Sequence, residues 1–127
     1  MGWAWVIIFL LTSSAPGGLS VFCPAPVVYN KNRTENEVLE KIQGKTLHFA
    51  NCYSRHFTNE DAVSFKVRFR FVIKPSGLVD QIEVVETGTD QKGMISCLET
   101  ILMQVQFSRI PLSKGSCTVE QSIIFRF

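Results

Sequence analysis

Between Phe65 and Ile73 the chain alternates strictly, with Phe65, Val67, Phe69, Phe71 and Ile73 on one side and Lys66, Arg68, Arg70 and Val72 on the other. A period of two predicts a half-buried strand. Lys74-Pro-Ser-Gly77 follows, with proline at the second turn position and glycine where a positive φ is needed, so the chain is expected to reverse into a second strand over Leu78 to Thr87. A third alternating run, Cys117 to Phe127, sets Val119, Gln121, Ile123, Phe125 and Phe127 against Thr118, Glu120, Ser122, Ile124 and Arg126.

Two segments carry a helical period instead. Thr34-Glu-Asn-Glu37 forms a capping box, and Val38, Leu39, Ile42, Leu47, Phe49, Ala50 and Tyr53 extend a 3.6-residue stripe that Gly44 bends or interrupts. Thr58-Asn-Glu-Asp61 ends it. After a cap at Thr89 or Asp90, the residues Met94, Cys97, Leu98, Ile101, Leu102 and Val105 fall at i, i+3, i+4, i+7, i+8 and i+11. The expected fold is α+β in the order α-β-β-α-β: a three-stranded antiparallel sheet with two helices packed on it, over residues 37–127. Residues 21–36, with Pro24, Pro26 and the polar run Asn30 to Arg33, read as an extended N-terminal arm.

The start of the chain breaks both periods. Trp3 to Leu11 is an unbroken apolar run followed by the small and turn-forming Thr12 to Ser20, and none of the 13 Lys and Arg or 11 Asp and Glu falls in this segment. An apolar run of about ten residues is too short to span a membrane, which takes about 20, and residues 1–20 are expected to be a secretory signal peptide. Cleavage after Ser20, with Gly18 at the other small-residue position, fits best; cleavage after Gly17, with Ala15, is second. Phe22 is too large for the position preceding a lipidated cysteine, so membrane contact is expected only if Cys23 is lipidated.

Export changes the chemistry of the cysteines. Cys23, Cys52, Cys97 and Cys117 all lie beyond the leader, and an even number in an oxidising compartment favours disulfides, with three connectivities open. The expected location is periplasmic, outer-envelope or extracellular. With 127 residues, 46% of them apolar, the chain has room for one core and is too hydrophobic for intrinsic disorder; a net charge of +2 names no nucleic-acid or polybasic-membrane partner.

Taken in order, Cys52-Tyr53, the strand-turn-strand Val67 to Val79, Cys97, Phe107 and the terminal Ile123-Ile-Phe-Arg-Phe127 resemble the AgmX/PglI C-terminal domain, a branch of the TonB C-terminal domain superfamily found in exported and envelope proteins of bacteria. The resemblance covers about residues 38 to 127. Two positions depart from the pattern: Ser108 follows Phe107 where the family has proline, and isoleucine replaces the usual proline before the final Phe-x-Phe. The resemblance implies a small TonB-C-like domain and a Cys52–Cys97 disulfide joining the two helices, which leaves Cys23 and Cys117 as a possible second pair.

His48, Cys52 and His56 at i, i+4 and i+8 suggest a metal site, but one helix face spreads them over about 12 Å, and no metal or other cofactor is expected. No nucleophile elbow, phosphate loop or zinc-protease motif occurs, and Glu60-Asp61 reads as turn chemistry, so no catalytic residue and no small-molecule substrate is expected. The basic and aromatic residues of Phe65 to Phe71 interleave as in single-strand RNA binders. Alternation nevertheless sends the two kinds to opposite faces, which favours a solvated face balanced by Asp80, Glu83 and Glu86 and no nucleic-acid partner. The sequon Asn32-Arg33-Thr34 matters only in a host that glycosylates secreted chains.

The expected function is a non-catalytic exported or envelope protein-interaction module. A protein partner would add a strand to the last strand's edge, through Glu120, Ser122, Ile124 and Arg126. The arm around Val27-Val28-Tyr29 is an alternative cover for that edge. The other function class is a small secreted cystatin-like inhibitor or another disulfide-stabilised secreted binding protein.

Overall fold

A computed structural model describes residues 14–15, 18–30 and 32–127; the apolar run Trp3 to Leu11, read above as part of a signal peptide, lies outside the described residues. The capping box forms as the sequence predicts: the Thr34 hydroxyl accepts from the Glu37 N–H at 3.1 Å and the Glu37 carboxylate accepts from the Thr34 N–H at 3.0 Å. It opens α1 (Glu35–Gln43), which stops at Gly44, and a separate helix α2 (Thr46–His56) follows. The stripe is thus divided between two helices, with Val38, Ile42, Phe49, Ala50 and Tyr53 buried and Leu47 left 57% exposed. Helix α3 (Lys92–Met103) begins one residue later than a cap at Asp90 predicts and two later than one at Thr89. Its cap is Gln91, whose own N–H is held by the Thr89 hydroxyl at 3.2 Å.

The two long central strands, β4 (Phe65–Ile73) and β5 (Val79–Thr87), make the expected hairpin, with Gly77 at φ +94°. The Gly77 N–H closes on the Lys74 carbonyl at 2.8 Å. A side chain at Gly77 is excluded twice over, because a Cβ there would lie 2.1 Å from the Phe107 carbonyl oxygen as the loop after α3 crosses the turn.

The remaining strands correct the expected topology. The segment before α1 contributes β1 (Ser14–Ala15), β2 (Leu19–Phe22) and β3 (Val27–Val28), so that β2 begins inside the segment expected to be a signal peptide, and the last strand is β6 (Cys117–Arg126). The antiparallel sheet runs β1-β2-β6-β4-β5, with β3 also on β6. The chain's last strand is therefore central rather than an edge. On one side it pairs with β4 from Phe65↔Phe125 to Ile73↔Cys117; on the other, Val21 faces Phe125 and Val28 faces Val119. Two adjacent apolar strands bury more of their area than an edge strand does, and β6, apolar at Val119, Ile123 and Phe125 with Ile124 on the other face, is suited to that place.

Between β2 and β3 the arm leaves β6 at Pro24 and Pro26, which have no N–H to offer a ladder. Gln121, fully buried on the apolar face, fills the gap: its side-chain amide donates to the Pro24 carbonyl at 2.7 Å and the Ser122 carbonyl at 2.9 Å. Farther along, Asn30 donates to Ser116 O at 2.7 Å and Asn32 to Gly115 O at 2.9 Å and Lys114 O at 3.0 Å. The asparagine of the sequon is thus a structural donor, and the sequon threonine is the cap of α1. Arg33 is buried at 2% exposure; it donates to Ser108 O at 2.8 Å and Lys74 O at 3.2 Å, and its guanidinium lies 5.9 Å from the centre of the Phe107 ring.

The core lies between the helices and one face of the sheet. Phe69, Phe71, Phe125, Ile73 and Ile123 from the strands meet Phe49, Ile42, Met94, Leu98 and Leu102 from the helices, all fully buried. Tyr53 closes one end: it stacks on Phe57 at 4.6 Å and lies 5.7 Å from Phe125 between ring centres, while its hydroxyl donates to Val63 O at 2.7 Å and accepts from Val63 N at 2.8 Å. Burial, opposed in part by the bond to Val63, raises the phenol's pKa.

Candidate functional site

Cys52 and Cys97 form the one disulfide recorded among the described residues, with Cα atoms 5.9 Å apart, and it ties α2 to α3. Neighbouring positions on α2 divide the work, since Cys52 bridges to α3 while Tyr53 covers the sheet. Cys23 and Cys117 do not pair; both are free thiols in the core. The register explains why. Phe22 faces Ile124, which puts Cys23 beside Ile123, six residues along β6 from Cys117. At about 3.4 Å per residue that is about 20 Å, far beyond the Cα separation a disulfide spans. Burial pushes the Cys23 thiol up to about 12, and burial likewise raises Cys117.

Above the disulfide a groove of about 420 Å³ runs between α2 and α3, lined by His48, Asn51, Arg55, His56, Ser96 and Gln104 among others, with no carboxylate in its lining. Arg55 reaches across to the Cys97 sulfur at 3.4 Å. Gly93 makes room for His56, since a Cβ there would lie 2.7 Å from the His56 ring. His48 and His56 share this groove, but Cys52 between them is fully buried in its disulfide. Among the described residues no group of three or more His, Cys, Asp or Glu side chains is placed to hold a metal ion. The disulfide itself is arranged as a brace. Cys97 is the reachable sulfur, and a thiolate attacking it would expel the Cys52 thiolate into an apolar core that disfavours the charge.

On the sheet face away from the helices, the basic residues of β4 sit in ion pairs. Arg68 meets Glu86 at 3.0 Å, Arg70 meets Glu83 at 3.1 Å and Glu120 at 2.7 Å, and Lys66 approaches Glu86 at 3.9 Å. The Arg70 hydrogen bond, followed by its charge, holds the Glu120 carboxyl below its ordinary range. Asp80 stands opposite Val72 and adds no ion pair to β4. The residues expected to form a binding edge are distributed across the sheet's inside: Glu120 faces Arg70, Ser122 faces Arg68, Ile124 faces Lys66 and Phe22, and Arg126 faces Ser20. With β4 on one side and the arm on the other, these four residues do not form an edge.

The edge is β5. β5 pairs with β4 alone, and no strand covers its other side among the described residues. Its line is broken twice against β4: Val85 is the extra residue between Glu86 and Val84, and a second irregularity falls between Glu83 and Asp80, where Gln81 takes φ 53°. Such bulges twist an edge and limit the length available for pairing. Beside β5, against α3, lies a mainly apolar groove of about 330 Å³ lined by Val84, Thr87, Thr89, Lys92, Ile95 and Glu99, among others. Sequence reasoning missed this edge because alternation marks a strand without saying which neighbours it takes.

In comparisons with known proteins, no family model, no curated protein and no solved structure matches the chain.

Proposed function

We propose that the protein is a non-catalytic, exported protein-interaction module of the cell envelope, a TonB-C-like domain of the AgmX/PglI kind, that captures an extended segment of a protein partner by strand addition at β5. The observation that carries this reading is the coincidence of an uncovered strand with an apolar groove: β5 offers backbone donors and acceptors, and Val84 and Ile95 beside it offer a seat for side chains. The two irregularities bracket Glu83 and Val84, so a partner strand has a short stretch in which to pair and a defined register. Its residues would alternate, apolar toward the groove and polar toward the face that carries Glu83 and Glu86. The Cys52–Cys97 disulfide supports the export reading, because such bonds persist in oxidising compartments.

A photo-reactive residue placed at Val85, which is 39% exposed, or at Arg126 tests the assignment in the exported protein. An adduct from Val85 that is absent from Arg126, and that disappears on adding Glu83→Pro to a chain still folded by circular dichroism, is expected. Equal adducts from both positions, or an adduct indifferent to that proline, would overturn it.

A further inference from the structure

The export reading leaves open where the leader ends, and the fold constrains the answer. Leu19 and Val21 are 1% and 0% exposed and belong to the same core as Phe49 and Phe125. Between Ser20 and Phe22, β2 pairs with β6 at three successive positions, Ser20↔Arg126, Val21↔Phe125 and Phe22↔Ile124. A cut after Ser20 removes Leu19 from the core and deletes the first of these pairs. It also places a new α-ammonium on Val21, a fully buried residue, where a charge has no solvent. A lipoprotein-type cut before Cys23 is worse, since it removes all of β2 and puts the new terminus on a residue 2% exposed.

A cut after Gly17 has neither fault. Gly18 is exposed, at φ +89°, with no atom within 4 Å of its Cβ position, so a charged terminus there stays in water. Ala15 and Gly17 supply the small residues that leader processing requires. Among the described residues the pairing lost is β1, Ser14↔Ser20 and Ala15↔Leu19, on the side of β2 that faces away from β6.

We infer that the mature protein begins at Gly18. A leader peptidase selective for small residues hydrolyses the Gly17–Gly18 peptide bond, the water hydroxyl going to the Gly17 carbonyl carbon and a proton to the Gly18 amine. This inference rests on the export reading proposed above, and it makes Cys23 an interior thiol rather than a lipid attachment point.

The test is to express the full chain in a Gram-negative host and to determine the intact mass and first residue of the exported product. Gly18 as the first residue is expected. Val21, Cys23 or any other processed start overturns the inference and leaves export standing, whereas Met1 retained throughout overturns the export reading itself. Two precursors give an independent check: Gly17→Leu should accumulate unprocessed while Ser20→Leu is processed normally, and the reverse pattern would refute the assignment.

Discussion

Removing the Cys52–Cys97 bond should cost this domain a large part of its stability. The two cysteines are 45 residues apart in sequence. In the chain-entropy model, closing a loop of that length lowers the entropy of the unfolded chain by about 13 cal/mol/K, or about 4 kcal/mol at room temperature. For a domain of this size, with a urea dependence of about 1.5 kcal/mol/M, the unfolding midpoint should fall by about 2 to 3 M. Two samples separate the loop term from packing. Wild-type protein under reductant loses the bond but keeps both sulfurs, while the Cys52→Ala, Cys97→Ala double variant also empties part of a fully buried site at Cys52. Urea titrations followed by circular dichroism should show the reduced protein shifted by most of the predicted amount and the double variant by about 1 kcal/mol more. A shift under about 0.5 M for the reduced protein, with the bond proven present beforehand by non-reducing peptide mapping, would refute the loop-entropy argument.

Gly77→Ala should destabilise by about 3 kcal/mol, because the new methyl meets the Phe107 carbonyl in a left-handed backbone; the urea midpoint reads this directly. Tyr53→Phe keeps the ring stack but strips the shared hydroxyl from both backbone groups of Val63, for an expected loss of about 1 to 2 kcal/mol in the same assay. Glu120 has a folded pKa below its unfolded value near 4.5, so its contribution is present above that value and is lost as pH falls through the folded one. Glu120→Gln should therefore lower the melting temperature at about pH 7 and differ less from wild type at about pH 3; an equal gap at both would show that the Arg70 pair contributes nothing.

What the sequence revealed follows the range of each interaction. The Thr34 capping box, the Gly77 turn, the stripe of α3 and the alternation of β4 are local codes, written within a few residues, and each appears where expected. The partners of β6 were not legible in that way, since nothing within Cys117 to Phe127 says whether one or both sides are covered. One residue did carry a clue. Gln121 falls on the apolar face between Val119 and Ile123, and a buried amide requires a hydrogen-bond partner that β4 and the helices do not supply; the Pro24 carbonyl of the arm does. The strands of the arm are short and separated by prolines, which leaves too few residues for a period to show. The edge assignment failed for the same reason: it needed the sheet order, which only the folded chain fixes.

The central place of β6 also bears on when this protein can fold. Its middle strand follows every helix and every other strand in chain order, and the strands that flank it on one side come from the arm, which precedes them all. Without β6 the sheet is reduced to the two-stranded hairpin of β4 and β5, and the arm has no strand to join. Bringing the arm to β6 is also the strand pairing with the greatest sequence separation and loop-closure cost, so this part of the sheet assembles late. The sheet is therefore a single cooperative unit that closes in one step, when Cys117 to Arg126 meets β4 on one side and the arm on the other.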